Sequence, residues 1–157
     1  MEIILSDKEL SVINIISSLR SIVSRHSGVI NHKYSNKHTG ADIDFDGLVG
    51  EYAFCKANNI FLDLTVSVRE GSYDCIANGK RVDIKSTRLV DGSLIGKLNR
   101  NPDVDVFVLA IIKPQKTQWE VVFPGWLTAD QLYSPDNLVD LEAGQAYLVS
   151  QFNLNKF

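Results

Sequence analysis

The sequence is short of cysteine, histidine and long apolar runs, and each shortage excludes a class of protein. Two cysteines among 157 residues, Cys55 and Cys75, stand at no metal-ligand spacing and are too few for a disulfide scaffold. They read as reduced, buried thiols. The three histidines, His26, His32 and His38, are six residues apart and pair with no cysteine, which argues against a zinc site. No apolar run approaches the roughly 20 residues needed to span a bilayer, so no membrane partner is expected. The opening MEIILSDKEL has no basic n-region and turns acidic at once, so it does not read as a secretion signal and a cytoplasmic location is expected. No glycine-rich phosphate loop and no serine-nucleophile elbow is present, so no nucleotide cofactor is expected.

What is there is ordinary in amount and uneven in arrangement. A chain of this length fits a single domain spanning 1–157, with 45% hydrophobic and 22% charged residues. Net charge is −3, against a globally basic nucleic-acid binder. From Leu10 to Ala41 there is no acid, while Arg20, Arg25, Lys33 and Lys37 supply four positive charges. From Ile76 to Asn101, six cations face only Asp83 and Asp91. Between these basic blocks, Asp42 to Asp74 holds seven acids and two cations, and the part beyond Trp119 is acidic again. Basic blocks flanking an acidic one suit an enzyme that holds cations and touches a polyanion. Taken alone, the pattern describes uneven surface charge.

Periodicity predicts helix, helix, then strands. Ser6 is the expected N-cap of a first helix, with Glu9 as its capping-box partner. Leu10, Ile13, Ile16, Leu19 and Val23 carry that helix to about Arg25. Gly28 to Asp42 reads as a loop, and a second helix is expected over Gly47–Asn58. Strands are expected at Ile60–Val68, Ser72–Ala77, Lys80–Ser86, Val104–Ile112 and Gln118–Phe123, with a short helix around Thr128–Leu132. Trp126 follows Pro124-Gly125 and marks the start of a closing region. The expected class is one α/β (α+β) domain, a central mixed sheet flanked by helices.

The chemistry gathers at Tyr73–Lys85. Asn78-Gly79 between two strand-like runs is a strong signal for a two-residue hairpin, because a type I′ turn needs positive φ at both central residues. That register sets Cys75 opposite Val82 and Asp74 opposite Asp83. Alternation then places Lys85 on the face of Asp83. Two carboxylates directly opposite in a sheet repel, and a hard divalent cation with oxygen ligands is the fitting counter-charge.

Asp74, followed by Asp83-Ile84-Lys85 on the next strand, resembles the bipartite signature of the PD-(D/E)XK nucleases, which have the restriction-endonuclease-like fold. Glu51, in Gly47-Leu48-Val49-Gly50-Glu51-Tyr52-Ala53, stands where that family often carries an acid on the preceding helix. Tyr73 occupies the place of the name-giving proline. The resemblance covers about Asp46 to Lys113, and the segment Leu89–Asn101 is short for the family's crossover helix.

The resemblance implies phosphodiester hydrolysis in DNA. Asp74, Asp83, the backbone carbonyl of Ile84 and Glu51, directly or through water, would hold Mg²⁺, with Mn²⁺ able to substitute. Lys85 would orient the attacking water and offset developing charge. Ser86, Thr87, Arg88, Lys97 and Arg100, with Lys33, Lys37 and His38 on the loop before the second helix, are the candidate nucleic-acid contacts. A homodimer is expected, since cutting both strands of a duplex needs two centres. The implied role is a restriction-like or mobile-element endonuclease. A branched-DNA resolvase is the alternative, and a non-catalytic nucleic-acid-binding or interaction module is the alternative from another class. Asp42-Ile43-Asp44-Phe45-Asp46-Gly47 also matches half of a calcium loop, but Ala53 stands where calcium needs a bidentate glutamate. Asp44 or Asp46 is instead expected to cap the second helix.

Overall fold

The apolar run Val106–Ile112 decides the architecture, because a strand buried on both faces must lie inside a sheet covered on each side. In the computed structural model, which describes residues 1–26, 40–66, 73–142 and 144–157, that run is the central part of a buried strand. The elements are β1 (Glu2–Ser6), α1 (Asp7–His26), α2 (Gly40–Ala57), β2 (Cys75–Ala77), β3 (Lys80–Thr87), β4 (Ser93–Lys97), β5 (Val106–Pro114), β6 (Gln118–Thr128), α3 (Ala129–Leu132), β7 (Leu138–Leu141) and β8 (Gly144–Ser150). A five-stranded sheet runs β1-β6-β5-β3-β2. β3 and β5 are parallel, and the other pairs are antiparallel. A register shift between Leu109 and Ile111 marks a bulge that helps the sheet curl. The fold is therefore mixed α/β, a curled mixed sheet flanked by helices.

Alternation along β3 and β5 divides the core in two. Val82, Ile84, Val108, Ala110 and Ile112 face α1 and α2, where they meet Ile13, Leu48, Val49, Ala53 and Phe54. Phe107, Leu109 and Ile111 point the other way, onto Leu94, Leu132 and Val149. Those partners come from α3 and from a second sheet, ordered β4-β8-β7, which the sequence did not announce.

The start of α1 rests on a capping box. The Ser6 backbone N–H donates to Glu9 Oε2 at 2.8 Å, and the Glu9 N–H donates to Ser6 Oγ at 3.4 Å. Glu9 also ties α1 to α2, accepting from Lys56 Nζ at 2.7 Å and Tyr52 Oη at 3.1 Å. Burial pushes the Glu9 carboxyl up, but the bonds from Lys56, Ser6 and Tyr52 outweigh it and hold it down to about 2. A depressed carboxylate stabilises the fold above its unfolded value of 4.5, and that stability is lost as pH falls toward 2. Glu9→Gln is therefore expected to destabilise the protein at neutral pH. The gap from wild type should narrow steadily between pH 4.5 and 2 in urea melts; a gap independent of pH would refute the linkage.

Several expected boundaries shift. The second helix begins at Gly40 rather than Gly47, so Asp42, Asp44 and Asp46 lie within it. A helical backbone cannot wrap a calcium ion in loop fashion, which removes the EF-hand reading, and none of the three is a simple N-cap. Residues 60–66 form no strand, against the expected strand at Ile60–Val68, whose last two residues lie outside the described residues. β6 runs on to Thr128, past the expected end at Phe123. The expected loop from Gly28 lies outside the described residues until Gly40. Leu19, expected on the buried face of α1, is 46% exposed. No helix among the described residues is long and apolar enough to cross a membrane.

Candidate active site

The hairpin forms as its chemistry requires. Asn78 and Gly79 have φ of 51° and 71°, the left-handed pair of a type I′ turn. Ala77 meets Lys80, Ile76 meets Arg81 and Cys75 meets Val82. β2 is only three residues long, and the Asp74 N–H still donates to the Val82 carbonyl at 2.8 Å. There the ladder changes character. Asp74 Oδ2 accepts the backbone N–H of Ile84 at 2.7 Å, so a carboxylate takes the place of the next strand residue. The N–H and C=O of one strand residue point to the same side, so the Ile84 carbonyl lies at the same edge as Asp74.

Asp83 and Lys85 share the face of their β5 partners Phe107 and Leu109. Lys85 Nζ stands 2.6 Å from Asp83 Oδ1 and 2.8 Å from Oδ2. Oδ1 is buried and meets the ammonium without a well-oriented hydrogen bond. Desolvation pulls the Lys85 ammonium down, while Asp83, and then Asp74, outweigh it and hold it above the usual lysine range. The structure thus brings Asp74, Asp83, Lys85 and the Ile84 carbonyl together at the middle of β3.

Glu51 is placed differently. It is buried on α2, which packs against the opposite face of β3, and its Oε2 meets Arg20 Nη1 of α1 at 3.3 Å. Arg20 is itself held by the carbonyls of Thr65, at 3.3 Å, and Asp63. The Cys75 thiol is pushed far up by its bond with Cys55, by burial, and then by the charges of Asp74 and Glu51. Both carboxylates therefore lie within electrostatic reach of one sulfur, at the hinge between the two faces.

The candidate contacts divide likewise. Lys33, Lys37 and His38 lie outside the described residues. Ser86 points to the helices, its buried Oγ making no hydrogen bond. Thr87 Oγ1 accepts the Leu89 N–H at 3.1 Å. Arg88 meets Asp46 Oδ1 at 2.6 Å and lies over the Trp119 ring, 5.2 Å from its centroid. Lys97 is exposed at the end of β4. Arg100 pairs with Asp130 at 2.8 Å and covers Tyr133 at 5.8 Å.

Tyr133 and Phe107 are the site residues that sequence reasoning missed. Lys85 Nζ lies 6.0 Å from the Phe107 ring centroid, Phe107 meets Tyr133 edge-on at 5.8 Å, and Tyr133 meets Tyr147 at 4.9 Å. Burial raises the Tyr133 hydroxyl, Lys85 lowers it and Asp83 raises it again, so the ring sits in the field of the site. The signal that fixes Tyr133 was available. Thr128 accepts from the Gln131 N–H, and Gln131 Oε1 accepts from the Thr128 N–H at 2.9 Å, a capping box that starts α3, whose single turn ends at its C-cap Tyr133.

The donors suit a hard cation. Mg²⁺ is commonly held by one or two carboxylates and keeps several waters. Asp74, Asp83 and the Ile84 carbonyl offer that set, with Asp83 Oδ1 held by the Lys85 ammonium at 2.6 Å. Among the described residues, no three histidine, cysteine or acidic side chains converge as a metal-holding group. Family models, curated proteins and solved structures yield no match to this chain.

Proposed function

We propose that this chain is a Mg²⁺-dependent nuclease of PD-(D/E)XK type, with a restriction-endonuclease-like core, that hydrolyses phosphodiester bonds in DNA. One observation carries the reading: Asp83 and Lys85 stand together on one face, with the Asp74 carboxylate anchored on the intervening Ile84 amide. Asp74, Asp83 and the Ile84 carbonyl hold the cation. When bound, it supplies Lewis acidity to the scissile phosphate and to a water. Lys85 leaves Asp83 for the water and the phosphoryl oxygens, where an ammonium offsets developing negative charge. Glu51 acts through water, since its carboxylate is engaged by Arg20. Arg100 and Tyr133 continue the site as a cation and a ring suited to a phosphate and a base.

The two internal pairs, Lys85 with Asp83 and Arg20 with Glu51, favour a second reading, a non-catalytic nucleic-acid-binding module. Challenging the protein with plasmid, linear duplex, single-stranded and four-way-junction DNA, with Mg²⁺ or Mn²⁺, separates the two. Metal-dependent cutting is expected, and the preferred substrate distinguishes a restriction-like from a resolvase role. Binding without cutting would leave the module.

Metal binding has its own signature. A ligand at about 100 times its Kd stabilises a fold by roughly 2.7 kcal/mol. Saturating Mg²⁺ is expected to raise Tm of the wild type by several degrees and leave Asp83→Asn unchanged. Equal shifts in both would remove Asp83 from the metal site.

A further inference from the structure

α1 is apolar on two faces. Its inward face carries Ile13 and the small Ser17 and Ser21, all buried, so that α2 can approach closely, and Leu10 and Ile16 pack against the same core. Four further aliphatics point away from the protein: Val12 is 51% exposed, Ile15 61%, Leu19 46% and Ile22 48%. The spacing is three, four, three, the a/d repeat by which one helix seats against another. Beside the stripe, Phe61 is 83% and Leu64 47% exposed, and both border a cavity of about 400 Å³ shared with Val12 and Ile16.

We propose that this face is the contact between two copies of this chain, with the α1 helices packed antiparallel about a two-fold axis. Area argues for it. At roughly 150 to 200 Å² for each fully exposed side chain, these six present on the order of 600 Å² of apolar surface, a size that marks interaction sites. That approaches the roughly 800 Å² per partner of a standard interface. Symmetry argues for it too. The stripe is centred between Ile15 and Leu19, so a two-fold axis there sets Ile15 against the partner helix at position 19 and Val12 against position 22. An isologous contact needs such a self-complementary patch. Exposed Lys8 and His26 close the stripe at its two ends, one further repeat step out. Antiparallel packing also opposes the helix macrodipoles, whereas parallel packing aligns them.

The inference does not depend on the nuclease reading, because its readout is mass. Sedimentation equilibrium of the full chain is expected to give twice the 17.5 kDa chain mass. Ile15→Glu with Leu19→Glu is expected to weaken association on the order of 100-fold, as loss of two central anchors does, with unchanged circular dichroism. Orientation is read by mixing the single variants Ile15→Cys and Leu19→Cys under mild oxidation. The mixed pair should crosslink more readily than either variant alone. A monomeric wild type, a double variant that stays dimeric, or preferred 15–15 and 19–19 crosslinks would each overturn the proposal.

Discussion

Asp83→Ala is expected to reduce Mg²⁺-dependent cleavage by at least about 1,000-fold, and Lys85→Ala by about 100- to 1,000-fold. The two losses have different causes. Asp83 is one of the two carboxylates proposed to hold the metal, so its removal takes away half of the proposed charged ligand set. Lys85 touches no metal; without it the developing phosphoryl charge lacks its ammonium, and a preorganised donor of this kind is worth roughly 2.7 to 4 kcal/mol. Metal binding separates them further. Asp83→Ala should lose the Mg²⁺-induced rise in Tm. Lys85→Ala should keep or enlarge it, because Asp83 is then released from its internal partner. Lys85 is 38% exposed at its side chain, so Asp83→Ala leaves no charge sealed in apolar surroundings, whereas Lys85→Ala leaves Asp83 only 15% exposed and should be the less stable of the two variants. Cleavage within tenfold of wild type in either variant would remove that residue from the centre.

Gly50→Val is expected to destabilise the protein by about 3 kcal/mol, near the upper end for overpacked cores. At Gly50 the helix α2 lies almost on β3 and β5. A Cβ there would sit 2.1 Å from Ser86 Oγ, 3.2 Å from Ala110 Cβ and 3.4 Å from Ile84 Cγ2. Ser86 can yield only by turning its hydroxyl, whereas Ala110 is wholly buried and has nowhere to go. Gly50→Ala should cost less, since the gain in helix propensity of up to about 1 kcal/mol offsets part of the clash. Ser86→Ala alone should be neutral or stabilising, because it removes a buried hydroxyl that makes no hydrogen bond. Combined with Gly50→Ala it should recover part of the loss. Chemical denaturation of the four variants measures the set, and a Gly50→Val protein as stable as wild type would show that α2 can retreat from the sheet. Retreat would also move Ile84, whose backbone carries the Asp74 carboxylate.

Local chemistry was legible in the sequence, and long-range placement was not. The Asn78-Gly79 turn is fixed by two residues that accept positive φ, and the strand face of Asp83 and Lys85 follows from it by counting. The Ser6–Glu9 capping box is equally local. By contrast, residues 60–66 have the composition of a strand and no strand to join, and β propensity is realised only against a partner. Leu89–Asn101 yields β4 instead of a crossover helix, because Leu94 and Gly96 turn inward from the second sheet onto β5 and α3. A Cβ at Gly96 would crowd Leu132 and Tyr133 at 3.1 to 3.3 Å, a restraint visible only once α3 is in place. Glu51 shows the limit at the site itself. The resemblance implied a place for it at the metal, yet Arg20 answers it from another helix, 31 residues away. Tyr73 packs with the cluster on the Asp83 side, because the ladder ends at Cys75 and strand alternation no longer governs it.

The outer strand β1 sets a kinetic problem that its short length disguises. Glu2 pairs with Val122, and the first residue's amino group reaches the carbonyl of Phe123 across 122 positions of chain. On the ribosome, β1 therefore emerges long before β6 exists to receive it. Non-local pairing of this kind requires the loop-closure entropy to be met before any contact rewards it, which slows folding toward the millisecond-to-second range. Until then Ile3 and Leu5 are exposed in a nascent strand, and α1, capped at Ser6, is the neighbour at hand to hold them. Refolding should accordingly be slower in the last step that closes β1 than in forming the β2–β3 hairpin, whose partners are at most seven residues apart.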